Sequence, residues 1–489
     1  MAKIQPYTKR PSTPAEHKAF VRKWPVYARD ADTDPAWKSR DEVRATQDTL
    51  LKSQVELLDK YSPFYTEFFK THGIKPGDIT GIDDLEKVPL TFKKDYMVDR
   101  GMRFVLTPPA PGLEWIPYEI NYTTGTTTGL PSRFYNTTYD MFRESIQFIR
   151  GCSIVCIEPS DMIMNVFPFH FIPHLGYYKT LHYTATIGAS MCWGFTGSPY
   201  PGMEPPIHRG IQDVIDDIED KRVTVLSGIG SYIRRVIVEA EKQKKDYSAV
   251  RSVGALGEAV PKGMRDDMRR RLQNMGAGDV YIGNGFGATE LQTSLQECVE
   301  FGGNHVTDDY YYYLEVVDEA TGKCVEDGKT GLLAITHLDR RGTVLLRYVL
   351  GDIVAITHEP CPHCGRLSPR LIAAVGSTYG TRTSELVKLK GTLINPETLR
   401  DAIANIAGVT EYQIVFTKED EKDAYSMDKL LIKIGKPDRD EKEVEKEVIE
   451  AARQAVEMRP DVTFVSPSEI FDPTATLKAT RVVDLRPKE

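Results

Sequence analysis

Tyr281-Ile-Gly-Asn-Gly-Phe-Gly-Ala-Thr-Glu290 is a β-type run that breaks into alternating glycines around one aromatic ring and ends in Thr-Glu. Upstream, Met162-Ile-Met-Asn-Val166 and Val223-Thr-Val-Leu226 are short apolar runs of the kind that form buried strands, while 231–242 and 264–272 carry helical spacing. Such alternation, from about 115 to 355, predicts an α/β fold whose sheets are packed by helices. The glycines of the 281–290 run would let the backbone approach a flat ring covered by Phe286. Thr289 and Glu290 could then reach phosphate and a divalent cation, although a plain strand-to-loop corner has the same pattern.

Outward from that centre, residues 1 to about 100 are charge-rich and helical in period; Leu50, Leu51, Val55, Leu57 and Leu58 fall on one stripe. Composition shifts near Gly376. Asn395-Pro396 offers a cap and a first-turn proline for a helix over 399–406. Strands at 412–416 and 430–434, a charged helix over about 439–458 and a strand at 462–465 complete a small α+β domain. The expected division is 1–380 and 381–489.

The 489 residues hold 62 Lys and Arg against 70 Asp and Glu, a formal charge of −8 that argues against a general nucleic-acid binder, which would carry a net basic face. No stretch reaches the ~18 uninterrupted apolar residues of a membrane-spanning helix. The start, Met1-Ala-Lys-Ile-Gln-Pro-Tyr-Thr-Lys9, has no apolar signal core. Seven cysteines are an odd, sparse set that forms no disulfide framework. The expectation is a cytoplasmic protein with neither nucleic acid nor membrane as partner.

Three further segments carry chemistry. Thr123-Thr-Gly-Thr-Thr-Thr-Gly-Leu-Pro-Ser132 interleaves hydroxyls and glycines, so backbone N–H and side-chain O–H groups can turn toward one polyphosphate, or simply make a turn. Leu346-Arg-Tyr-Val-Leu-Gly-Asp352 puts Asp after Gly at a strand end, suited to both hydroxyls of a ribose. Thr476-Leu-Lys-Ala-Thr-Arg-Val-Val483 puts a lysine in a loop near the C-terminus.

In this order the segments resemble the AMP-forming acyl-adenylating (acyl-CoA synthetase) superfamily and, within it, the phenylacetate–CoA ligase family. The resemblance runs from Val88-Pro-Leu-Thr-Phe-Lys-Lys-Asp95 to Lys478-Ala-Thr-Arg481. It implies a large adenylation domain and a small mobile C-terminal one. It implies a phosphate loop at Thr123, Thr124, Gly125, Thr126, Thr127, Thr128 and Gly129, and an adenine and magnesium motif at Gly285, Phe286, Gly287, Thr289 and Glu290. Glu258 would line the adenine, Asp352 the ribose, and Arg382 would mark the hinge. The implied reaction has two steps: a small-molecule carboxylic acid attacks the α-phosphate of ATP with Mg2+, and coenzyme A then displaces AMP. Thr289, Glu290 and Lys478 would act on the charge that builds on phosphate, Lys478 only when the small domain closes. The chain departs from the family's pattern at Leu130, at Val349 and Leu350, at Ser384-Glu385 and at Leu477. These departures weaken the expectation of an ordinary CoA ligase more than that of adenylate formation.

Cys361-Pro-His-Cys364-Gly365 has the gap of a zinc-gripping thiolate pair, with Gly365 freeing the turn. Cys298 and His305 resemble the Cys-and-His segment that accompanies this pair in part of the family, and His358 and His363 are rivals to His305. The expectation is a closed, structural Cys3His zinc. Because Cys298 follows Glu290 by eight residues and Cys361 follows Asp352 by nine, the metal would staple the two loops leaving the nucleotide site. Asn165-Val-Phe-Pro-Phe-His-Phe-Ile-Pro-His174, with Trp193 and Phe195, could enclose an aryl or arylacetic acid, although at least half of these residues read as core. His170 or His174 could orient the carboxylate. Two rival readings use the same residues: transfer to an amine or carrier protein, and an inactive zinc-containing binding protein. A homodimer is compatible with the resemblance.

Overall fold

The computed structural model describes residues 9–109, 112–122, 133–169, 175–196, 209–257, 260, 262–372, 381–382, 387–390, 392–394, 396–404, 406–409, 411–437, 439–456, 458–470 and 481–487. The chain divides into two compact units, one running to Thr383 and one from Ser384, with 229–235 counted in the second.

In the larger unit, helix Arg40–Tyr61 begins at a Ser39–Glu42 capping box, which satisfies two of the N–H groups a helix start leaves open. Its stripe buries Leu51, Val55 and Leu58 completely, with Leu50 and Leu57 partly covered. Strands β1 (Pro117–Tyr122) and β2 (Arg133–Thr137) form an antiparallel hairpin. Next come β3 (Met162–Asn165), β4 (Ser190–Trp193), β5 (Val225–Ile229), β6 (Ser252–Leu256) and β7 (Tyr281–Asn284), in the sheet order β4-β3-β5-β6-β7. The neighbours β3–β4, β3–β5 and β6–β7 are parallel. Ile163, Met164, Val253 and Ile282 are fully buried, because helices cover a parallel sheet on both faces.

The helix–strand alternation ends at Asn284, not near 355 as expected. Beyond it β8 (Phe286–Gly287), β9 (Ser294–Glu297), β10 (Asn304–His305), β11 (Tyr312–Val317), β12 (Thr330–His337), β13 (Tyr348–Thr357) and β14 (Arg370–Ile372) make an antiparallel sheet ordered β11-β12-β13-β14-β10-β9-β8. β15 (Thr381–Arg382) pairs with β13. The reason lies in the spacing: only residues 338–347 separate β12 from β13, fewer than the dozen or so that a crossover to a parallel neighbour needs.

Asp352 is likewise not at a strand end. It sits inside β13, where the pairing with β12 jumps from Val349–Ala334 to Ile353–Leu332. Gly351 takes φ +88° in this bulge, a left-handed value that favours glycine, and the kink re-aims Asp352 opposite Arg382 of β15.

The smaller unit holds the short hairpin β16 (Val387–Leu389) and β17 (Thr392–Ile394), helix Pro396–Ala404, and strands β18 (Tyr412–Lys418), β19 (Asp428–Gly435), β20 (Asp461–Val465) and β21 (Val482–Asp484). Helix Glu441–Val456 buries Val444, Val448 and Ala452, four residues apart, in a core shared with Ile414, Phe416, Ile432 and Ile434. The sheet order is β20-β19-β18-β21. β21 lies in a segment expected to be a loop; three residues carry no readable period, and pairing with β18 makes them a strand. Among the described residues no helix is long and apolar enough to cross a membrane.

Candidate nucleotide site and metal centre

The parallel sheet sends several chemistry-bearing segments off one edge. At the carboxyl ends of its strands, β7 leads into Gly285–Glu290, β6 into Gly257, β3 into 166–169 and β4 into 194–196. In open α/β sheets that edge is where ligands bind. Phe169, Trp193 and Phe195 stay partly exposed there, while Val166 and Phe167 are core. The rings interlock: Phe169–Tyr177 centroids are 5.1 Å apart, Phe169–Phe195 5.6 Å and Trp193–Phe195 5.7 Å. Tyr177 and Tyr178, from helix Leu175–Ile187, complete this aromatic group and were not singled out by sequence reasoning.

Thr289 and Glu290 sit on a 3-10 turn, and the turn is pinned by a residue that sequence reasoning missed. His337 Nδ1 accepts the Leu345 N–H (3.0 Å), so its Nε2–H donates to the Glu290 carbonyl (2.8 Å). One neutral tautomer makes both bonds. Burial, then the Arg340 charge, hold the His337 pKa well below the ordinary imidazole range. Burial, then Arg366 and Arg10, pull His17 down to about 3. As pH falls below the ordinary value of 6.5, the unfolded chain therefore takes up these protons before the folded one does. Stability is full above 6.5 and declines below it, by up to about 1.4 kcal/mol per pH unit for each imidazole. We expect a lower urea midpoint at pH 5 than at pH 7, and a shallower pH slope in His337→Gln.

Behind the Gly285 corner lies a buried ion pair. Arg265, on helix Lys262–Asn274, donates to Glu297 at 2.7 and 3.3 Å and to the Val260 and Ile282 carbonyls at 2.9 Å each. Glu297 also accepts the Asn284 N–H (3.1 Å), fixing the last residue of β7. Both partners are almost wholly buried, so removing one strands a charge. Arg265→Ala should cost about 3–5 kcal/mol, read as a drop in denaturation midpoint; a loss under about 1 kcal/mol would contradict the assignment.

Glu297 is followed directly by Cys298, and there the four sequence-predicted ligands meet. Cys298, His305, Cys361 and Cys364 are all buried, with donor atoms within 4.8 Å of one another. Cys298 Sγ lies 3.6 Å from Cys361 Sγ, and Cys364 Sγ 3.5 Å from His305 Nε2. A tetrahedral zinc with ~2.3 Å bonds to sulfur and ~2.05 Å to nitrogen sets those separations at ~3.8 and ~3.6 Å, so the donors fit the ion in type, number and spacing. His305 Nδ1 meets Ser368 Oγ at 3.3 Å, leaving Nε2 for a metal. The Cys361–Cys364 turn closes by Gly365 N–H to Cys361 O and Cys361 N–H to Arg366 O, both 2.9 Å. Gly365 has φ +73°, and a Cβ there would stand 2.8 Å from Pro14. The rival histidines are elsewhere: His358 bonds Asp327 at 2.6 Å, and His363 is exposed.

The sequence matches the AMP-binding enzyme family over residues 49–338 and the AMP-binding enzyme C-terminal domain over 391–486. This chain belongs to the AMP-binding enzyme family. A phenylacetate-coenzyme A ligase of Thermus thermophilus is 27% identical over 402 residues, covering 81% of this chain and 82% of the relative. Another, from Aromatoleum evansii, is 26% identical over 479 residues, covering 94% and 98%. A solved 2-hydroxyisobutyryl-CoA ligase, in complex with 2-HIB-AMP and CoA in the thioesterification state, aligns with a TM-score of 0.76 at 21% identity, over 92% of this chain and 91% of that one. At that identity the likeness concerns fold. The AMP-binding family sets the chain in the adenylate-forming acyl-CoA ligase superfamily, with the large α/β and small C-terminal domains expected from sequence.

Of the positions that the AMP-binding family resemblance implied, Gly285, Phe286, Gly287, Thr289 and Glu290 follow one another off β7, and Asp352 faces Arg382 across two strands. Residues 123–130, Glu258, His170, His174, Ser384, Glu385, Leu477 and Lys478 lie outside the described residues, as does the side chain of Arg382.

Proposed function

We propose that this chain is an AMP-forming ligase that activates an aromatic or arylacetic acid as its acyl-adenylate and passes it to coenzyme A. The observation that carries the reading is the shared origin of the Gly285–Glu290 turn and the aromatic group at one carboxyl edge. A compact apolar acid among those rings would meet a nucleotide bound along the same edge. In this reading Thr289 contacts phosphate, Glu290 holds Mg2+, Asp352 takes the ribose, Glu258 borders the adenine, and loop 123–129 cradles the polyphosphate. Lys478, in the part from 381 to 489, supplies positive charge at the α-phosphate.

Cys298, His305, Cys361 and Cys364 hold a structural zinc; four protein ligands leave no open position for catalysis. The departures at 349 and 350 have a packing account: Val349 is buried and Leu350 packs on the core, where apolar side chains serve. That weakens the case for an amine or carrier-protein acceptor.

The test is acid-dependent ATP–pyrophosphate exchange over aryl, arylacetic and short aliphatic acids, followed by AMP release with and without CoA. Exchange confined to aliphatic acids would overturn the substrate class. AMP release indifferent to CoA would overturn the acceptor, and silence across the panel would overturn adenylation.

A further inference from the structure

We propose that Gln292 is a positioning residue that holds the Glu290 turn in register with the hairpin whose connection is the 123–132 loop. The inference rests on the adenylation reading, which assigns cation and polyphosphate to those two segments. Gln292 is fully buried and takes φ +56°, a left-handed value unusual for a side-chain-bearing residue. Its Oε1 accepts from Asn121 Nδ2 (2.9 Å) and Asn136 Nδ2 (2.6 Å), and its Nε2 donates to the Thr289 carbonyl (2.5 Å). Asn121 is the second-last residue of β1 and Asn136 the second-last of β2, so both strands of the hairpin are gripped by one oxygen.

The amide can sit only one way round. Turned over, it would aim N–H at the two Asn donors and an oxygen at the Thr289 carbonyl. The grip is itself braced. Both Asn side chains donate to Glu119 Oε1 (3.1 and 2.8 Å), Glu119 takes Lys179, and the Asn136 oxygen takes Arg340. Asn121, Asn136 and Arg340 are each fully buried.

Packing alone would be met by an apolar residue of the same volume; a buried polar network adds one defined arrangement. Here it ties the Glu290 turn to both strands that flank 123–132 in the chain, the segments to which the adenylation reading assigns cation and polyphosphate. Such groups lose function when displaced by a fraction of an ångström.

Gln292→Leu keeps volume and removes the amide; Asn121→Ala is a milder second variant should the first fold poorly. We expect the kcat of pyrophosphate exchange to fall about tenfold to a hundredfold. The Mg2+ concentration for half-maximal rate should rise, with the KM for the acid unchanged. The double variant should lose no more than the worse single one, because both cut one network. A residue that served stability alone would lower the melting temperature and leave the Mg2+ dependence and the kcat-to-KM split in place.

Thermal protection by MgATP is measured alongside. Wild-type exchange with unchanged kcat and Mg2+ dependence in the variants overturns the positioning role and leaves adenylation standing. A wild type without exchange, but with MgATP protection that Gln292→Leu loses, rejects adenylation and supports the coupling. A wild type with neither exchange nor MgATP protection rejects both.

Discussion

Stripping the metal from the Cys3His cluster should lower the melting temperature by about 10 °C and weaken MgATP binding at the same time. Structural zinc contributes folding free energy outright, about 10–16 kcal/mol in small zinc peptides. In a large domain a loss of even about 3–5 kcal/mol moves the melting point by some 2–4 °C for each kcal/mol. The nucleotide effect follows from what a metal at the Cys3His cluster would brace. Cys298 directly follows β9 and His305 ends β10, and Cys361 and Cys364 lie in the β13–β14 connection. β13 carries Asp352, and β9 ends in Glu297, which holds Asn284 before the glycine corner. The Cys298 carbonyl also takes Arg10 (2.9 Å), whose guanidinium lies 3.6 Å from the Tyr281 ring centre.

Metal analysis should find one zinc per chain. Cys361→Ser and Cys364→Ala should each reproduce the chelated protein, since three donors leave a buried thiolate uncompensated. A Cys361→Ser protein with unchanged stability and unchanged ATP affinity would end the idea that the metal staples the nucleotide loops.

What the sequence made legible was whatever carries its signal locally. The 40–61 stripe, the runs at 162–166 and 281–284 and the charged helix before 458 each have a period or a cap of their own. Cys361 and Cys364 were readable for the same reason, since two thiols and a glycine within five residues have one chemistry in common. The resemblance supplied Cys298 and His305, which no spacing rule links to that pair.

The rest was hidden because it depends on pairing across long chain separations. Arg265 meets Glu297 from 32 residues away, and His337 meets Glu290 from 47. Gln292 meets Asn121 across 171 and Asn136 across 156. In sequence each is an ordinary polar residue, and only the antiparallel sheet after 286 buries them together. That sheet was itself obscured. Strands such as 330–337 are apolar on both faces, with six consecutive buried residues, and so read like those of a parallel sheet.

Lys478→Ala should reduce acid-dependent pyrophosphate exchange by about a thousandfold, the largest single-residue effect expected here. When the carboxylate attacks, negative charge grows on the α-phosphate oxygens and on the departing pyrophosphate. A fixed positive donor in a water-poor site is worth about 3–4 kcal/mol at that moment, some 10²–10³ in rate. In the proposed reaction Mg2+ held by Glu290 would neutralise the pyrophosphate side, leaving the lysine to act where that cation does not.

Lys478→Arg makes the prediction sharper. It keeps the charge but replaces a compact ammonium with a broad planar fork, and should recover only part of the rate. Both variants should still convert a supplied acyl-adenylate and CoA to thioester at near wild-type rate, because no phosphate charge develops in that half. Exchange within tenfold of wild type in Lys478→Ala would remove the lysine from the chemistry. Loss of both half-reactions together would mean that the substitution had disturbed the small domain's fold, which the melting curve would show independently.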